Sequence, residues 1–236
     1  MNSNTNEAKE NSVGNNKSSE TLASAVYDRL LNDILNGTLN PDLKLRLQVL
    51  KKQYDVGNSP LREALNRLSE KGLVQREENK GFRVASASEA ELKELILTRC
   101  WLEEIALRES IKNGDDAWEE QLVLAFHRLS RSARNGNGKT GATAREWERQ
   151  HSDYHHSLLS DCGSSILLEY CVQLDEKTLR YRNLATVRKQ RDRHELDEHR
   201  AIQEAALDRD ADLAVKLMKA HFEATLEIVL SSGCIS

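Results

Sequence analysis

A length of 236 residues allows one large or two small domains, and 39% hydrophobic residues with only 11 Gly and 2 Pro fit a soluble, helix-rich chain. No apolar run approaches the ~20 residues that cross a bilayer, and the opening MNSNTNEAKE lacks the apolar core of a secretion signal, so a cytoplasmic protein with no membrane association is expected. The net charge of −4 argues against a nucleic-acid binder only for the chain as a whole: residues 21–86 carry 11 Lys and Arg against 8 Asp and Glu, and residues 87–236 carry 21 against 27.

Residues 1–20 hold six Asn and four Ser with almost no large apolar side chain, the composition of a disordered tail. From Thr21, the stripe Leu22, Val26, Leu30 and Ile34 predicts a helix that ends at Gly37. A turn at Asn40-Pro41-Asp42 leads to a second helix through Leu47, Leu50 and Tyr54, and Asp55-Val56-Gly57 forms a tight link to a third. That third segment, NSPLREALNRLSEKGLV from Asn58, has Ser59 as the expected N-cap, Pro60 at the first helical position and Gly72 as the stop. Leu61, Ala64, Leu65 and Leu68 make its apolar stripe, leaving Asn58, Ser59, Arg62, Asn66 and Arg67 on or near the outward face. Hydrogen-bonding and cationic side chains at a helix N-terminus, behind a short upstream helix, suit the reading of a DNA major groove. After Gly72, LVQRE and FRVAS alternate around the polar turn Glu78-Asn79-Lys80-Gly81, which predicts a two-stranded wing with Lys80 and Arg83 at its tip.

These residues carry a resemblance. The patterns L-x(3)-I-L-x-G-x-L-x-P, S-P-L-R-E-A-L-x-R-L-x-x-x-G-L-V and N-x-G-F-x-V resemble the winged helix-turn-helix domain of GntR-family transcription regulators over residues 26–85. The resemblance implies a DNA-binding domain over residues 21–86, contacting double-stranded operator DNA through Gln48, Asn58, Ser59, Arg62, Lys80 and Gly81. Without it, the hairpin tip reads as merely solvated surface.

Ser88 with Glu91 forms a capping box that opens a long helix to the Asn113-Gly114 stop, which sets the domain boundary near Ala85 to Ser88. Asp116 with Glu119 and Thr143 with Glu146 start two more helices, separated by the polar loop from Asn135 to Gly141. Helical stripes continue over 166–181, 195–207 and 213–230, with no strand pattern after the wing. Residues 87–236 are therefore expected to form an all-α antiparallel bundle of six or seven helices, in a chain that is mainly α.

Histidines lie on the stripes of three of these helices. His151 and His155 stand one turn apart with Trp147 and Leu158; His199 goes with Ile202 and Ala206; His221 goes with Leu217, Ala224 and Ile228. An i, i+4 histidine pair is a preformed chelate, although satisfied core or surface histidines share the same pattern. The stretches H-S-D-Y-H-H-S-L-L-S-D-C-G-S, E-H-R-A-I-Q-E-A-A-L-x-R-D and K-A-H-F-E-A-T resemble the FCD domain of the FadR branch. That resemblance implies a divalent metal held by His151, His155, His199 and His221, with His127, His156 and His194 outside the site. His151 stands where many members have Asp, and nitrogen in place of oxygen favours zinc or nickel over manganese.

Arg99, in R-x-x-L-E, matches a family position expected to meet an effector carboxylate; the other reading is an ordinary surface or helix-pairing arginine. Arg180 in L-R-Y-R is a second effector candidate. D-C-G-S-S-I-L-L and L-R-Y-R-N-L are similar to the CsiR-like branch, whose ligands are small organic acids. The expectation is a homodimeric, ligand-responsive regulator, in most such cases a repressor, that binds a palindromic operator with a metal-assisted acid effector. The competitor is a metalloenzyme whose histidine cluster acts on a small acid, and a third reading makes the metal itself the signal.

Overall fold

The computed structural model describes residues 22–77, 81–134, 142–186 and 195–235, and the chain divides between Ala87 and Ser88 into two compact units. In the first unit, α1 (residues 22–35) turns Val26, Tyr27, Leu30 and Ile34 inward onto α2 (Leu47–Tyr54) and α3 (Asn58–Glu70). Leu61, Ala64, Leu65 and Leu68 of α3 are completely buried, as their spacing requires. Lys71 caps the C-terminus of α3, and Gly72 follows at φ +72°, where a side chain would be strained.

Two details differ from the sequence reading. Gly57, not Ser59, is the N-cap of α3, so Ser59 is the second helical residue and Pro60 the third. Proline is still accommodated, because the first-turn N–H groups have no intrahelical acceptor. The sheet has three strands, not two: β1 (Lys44–Leu45), β2 (Val74–Glu77) and β3 (Gly81–Val84) lie in the order β1-β3-β2, all neighbours antiparallel. β1 pairs Leu45 with Phe82 and buries both. A two-residue strand has no period to read, so only its partner reveals it.

The second unit contains six helices among the described residues: α4 (Glu89–Asn113), α5 (Asp116–Arg134), α6 (Ala142–Leu159), α7 (Ser165–Thr186), α8 (Glu195–Leu207) and α9 (Ala211–Ser231). Ser88 caps α4 by accepting from Glu91 N at 3.2 Å, but the Glu91 side chain does not complete the box. Its carboxylate instead accepts from the Tyr181 hydroxyl at 2.6 Å, tying α4 to α7. Gly114 ends α4 because any Cβ there would run into the Trp118 ring. Asp115 caps α5, accepting from Trp118 N at 3.0 Å, one residue before the expected start. No helix among the described residues is long and apolar enough to cross a membrane.

Candidate metal centre and nucleic-acid face

α6, α8 and α9 each turn histidines into the interior of the bundle. His151 and His155 come from α6, His199 from α8 and His221 from α9; all four are buried, and one potential ligand atom from each lies within 4.8 Å of the others. His199 Nε2 and His155 Nε2 approach to 3.2 Å. Trp147, one turn before His151, stacks on its ring at 4.8 Å between centroids. The Tyr154 hydroxyl donates to the backbone carbonyl of His199 at 2.7 Å and so pins α8 to α6. His221 follows the buried stripe Ala214, Met218 and Thr225, whereas Leu217, Ala224 and Ile228, its expected companions, are only half-buried.

The donor set fits a metal. Burial first, then Arg182, pulls His151 well below the ordinary histidine range, and burial followed by His221 does the same to His155. Neutral imidazoles offer lone pairs, as a metal requires. Both ring nitrogens of His151 and Nδ1 of His155 are buried without a hydrogen-bond partner, an uncompensated cost in a packed interior. His221 Nδ1 lies 2.8 Å from Glu198 Oε2, and a neutral ring that donates there carries its lone pair on Nε2. Glu198 was missed in the sequence, where a carboxylate on the solvent side of a histidine helix looks like any surface charge. His156 lies off the cluster, half-exposed and 3.7 Å from Asp175; His127 is exposed on α5, and His194 lies outside the described residues.

Beside the histidines is a buried ionic network. Arg99 is neither a surface residue nor an open cation: its Nε lies 2.6 Å from Glu103 Oε1 and its Nη1 3.3 Å from Asp175 Oδ1, at 1% exposure. Its guanidinium covers the Phe222 ring at 4.3 Å, and that ring stands 5.7 Å from the His155 ring. Arg182 reaches Glu148 at 2.9 Å and Asp175 at 3.5 Å, while Ser152 donates to Asp175 Oδ2 at 2.7 Å. Burial alone would raise the Asp175 pKa, but Arg99 and Arg182 outweigh it and hold the carboxyl well below the usual carboxylate range. Arg180 is also buried. Arg182, Asp175 and Glu103 were not singled out in the sequence, because each partner sits on another helix or reads as a routine surface pair.

In the first unit, Asn58, Ser59, Arg62 and Asn66 are exposed along α3, and Gln48 is exposed on α2. Gly81 opens β3 at φ +97°, and Lys80 lies outside the described residues. Two cations do not have the freedom expected of them. Arg67 is half-buried, with its guanidinium 4.3 Å over the Tyr27 ring, and Arg83 is tied to Glu77 at 2.7 Å and to the Asp42 carbonyl at 2.6 Å. What remains outward is a strip of amides, a hydroxyl and one arginine at the positive end of a helix, on a face that none of the described residues of its own unit covers.

The comparisons with known proteins give a family for each unit. Residues 22–84 match the family of bacterial regulatory proteins, gntR family, and residues 94–224 match the FCD domain. The chain is 33% identical over 215 residues to a protein named as an uncharacterized HTH-type transcriptional regulator, BphR, of Paraburkholderia xenovorans, covering 91% of this chain and 88% of that one. It is 34% identical over 210 residues to the HTH-type transcriptional repressor GlaR of Escherichia coli, covering 86% and 93%. Among solved structures, E. coli McbR/YncC shares the fold at a TM-score of 0.74 and 17% identity, over 89% of this chain and 97% of that one. The chain belongs to the GntR family of bacterial transcription regulators, with a winged helix-turn-helix domain followed by an FCD domain.

Proposed function

We propose that this regulator is a cytoplasmic, homodimeric, effector-responsive repressor whose FCD domain holds a divalent metal at His151, His155, His199 and His221. The observation that carries the reading is the group of four buried imidazoles, three of whose ring nitrogens, two on His151 and one on His155, find no hydrogen bond. Burying them without a partner disfavours folding, and an ion would supply the missing partner. An all-nitrogen donor set suits zinc or nickel. When bound, the ion would supply a Lewis-acid position for one oxygen of a small carboxylic acid effector. Arg99 and Arg180 would set the positive field around that acid, with Arg99 already shared between Glu103 and Asp175.

On DNA, two copies would present α3 to the half-sites of a palindromic operator. Asn58, Ser59 and Arg62 would meet base edges or phosphates, Gln48 the backbone, and Lys80 with Gly81 the neighbouring groove. The effector acts only to the extent that it binds the DNA-competent and DNA-free arrangements unequally. The repressor sign is supported by the similarity to GlaR, a transcriptional repressor.

The test is a mobility-shift titration of promoter against random duplex at several salt concentrations, with metal analysis of the purified protein. Promoter preference that falls as salt rises, one divalent ion per chain, and release by a small mono- or dicarboxylic acid are expected. Equal binding of both duplexes sinks the operator reading. A metal-free protein whose melting temperature ignores added zinc and nickel sinks the metal reading. Release by chelation alone, with no acid able to cause it, would make the ion the signal.

A further inference from the structure

The turn that aims α3 consists of residues 55–57, and its first residue needs support. Asp55 sits at φ +54°, in the left-handed region that side chains rarely adopt, so neighbouring structure must hold it there. The turn itself supplies little: the Asp55 and Val56 N–H groups both return to the Lys51 carbonyl, and Gly57 has no side chain to add a cap. The rest comes from α1. Arg29 donates through Nη1 to the Tyr54 carbonyl at 2.9 Å and, more loosely, through Nη2 to the Gln53 carbonyl at 3.5 Å, the last two carbonyls of α2. These carbonyls lack intrahelical donors, and a cation also offsets the partial negative charge of a helix C-terminus. The same guanidinium lies 4.8 Å from the centre of the Tyr54 ring. Four residues further along α1, Asp33 accepts from the Tyr54 hydroxyl. Burial, then that bond, push the hydroxyl above its ordinary range, so it stays a donor at neutral pH. Tyr54 is thus held at its backbone, its ring and its tip by two side chains one turn apart. α3 is tied to α1 separately, by Arg67 through Ser24 Oγ at 3.3 Å and through the Tyr27 ring.

We infer that Arg29 and Asp33 are positioning residues for DNA reading: their hold on Tyr54 fixes the 55–57 turn and with it the angle at which α3 leaves α2. A charge count would assign the exposed Arg29 to the surface that meets phosphate, but its donors are directed at the end of α2. Side chains at the start of α3 reach base edges only when the helix arrives at one angle. A looser turn therefore weakens recognition of the promoter and spares the sequence-independent attraction to phosphate. The proposal rests on the operator reading above and adds what aims its helix.

The test uses the full chain in mobility-shift titrations of promoter and random duplex, with circular dichroism to confirm that each variant is folded. Asp33→Ala and Asp33→Asn lose the same charge, but only asparagine can still accept from the Tyr54 hydroxyl. Asp33→Ala and Tyr54→Phe should lower the preference for promoter over random duplex about three- to tenfold, what one hydrogen bond contributes to an equilibrium, and Asp33→Asn should stay close to the wild type. Hydrogen exchange of the amides at 55–59 should quicken in the same order. Arg29→Met should lose selectivity while the salt dependence of binding keeps its slope.

An Asp33→Ala protein that keeps the wild-type preference overturns the proposal, as does an Asp33→Asn protein no better than it. Tyr54→Phe, which retains the buried ring, decides the matter if Asp33→Ala does not fold. An Arg29→Met protein that binds both duplexes equally more weakly, with a salt slope shallower by about 1, makes Arg29 a phosphate contact and overturns its part. A wild type with no promoter preference sinks the operator reading instead. Faster exchange in Asp33→Ala than in Asp33→Asn then still establishes the hold on the turn, and equal exchange overturns that as well.

Discussion

The two units solve opposite problems in their interiors. The core of the first is hydrocarbon with two tyrosines, Tyr27 and Tyr54, and its polar chemistry is displayed outside on α2 and α3. Among the described residues, every buried polar or charged side chain, from Arg99 to Thr225, belongs to the second unit. An apolar core is a rigid support that leaves an exposed face free to meet a large partner. A core containing arginines, carboxylates and imidazoles is less stable than its volume allows, and that pattern is expected where a small charged ligand must be enclosed.

The contrast can be broken most severely at Asp175. Asp175→Ala leaves Arg99 and Arg182 buried without their shared anion, and removal of one member of a buried charge pair costs about 3–5 kcal/mol. Differential scanning calorimetry should show the bundle transition falling sharply or disappearing. The wild type carries the same dependence in its pH profile. The Asp175 carboxyl is depressed in the folded state, so its contribution is complete above the unfolded carboxyl range near pH 4 and is lost as pH falls through and below it. Chemical denaturation between pH 6 and 3 should show this loss, and Asp175→Asn should flatten it.

A cavity in the other core should cost nearly as much. Leu65→Ala, at a fully buried position, should destabilise the first unit by about 2–5 kcal/mol and abolish promoter binding, with metal content of the bundle unchanged. If metal and DNA binding fall together, the units are not independent. Arg62→Ala changes an exposed side chain and should leave melting unaltered. Promoter affinity should drop by about 1–3 kcal/mol if it reads a base; a uniform loss across all duplexes would make it a phosphate contact. The smallest effect is at the start of α4, where Ser88→Ala should cost about 1 kcal/mol, measured by urea denaturation, through loss of its bond to Glu91 N.

Much of this was legible in the order of residues. The apolar spacing in α3 placed Leu61, Leu65 and Leu68 inside and Arg62 outside; stripes put histidines on three separate segments, but the family resemblance chose the four, and the companions expected for His221 were not its buried stripe. Local signals were less dependable where two residues compete for one role. Gly57 took the cap expected of Ser59, and Tyr181 claimed the Glu91 carboxylate that a capping box would have used. Arg67 and Arg83 look as free as Arg62 in sequence, but Tyr27 and Glu77 hold them.

Periodicity and local spacing determined which residues form each helix and which side of it is apolar, because both depend on neighbours three or four positions away. Packing decided which side chains meet across the bundle. Asp175 lies 76 residues from Arg99 along the chain and 3.3 Å from it in the fold, and Glu198 finds His221 only because α8 and α9 lie side by side. A buried charge is tolerated only where a partner reaches it; Arg99 has one in Glu103 on its own helix, but Asp175 joins Arg99 to Arg182 only because α4 and α7 meet in three dimensions.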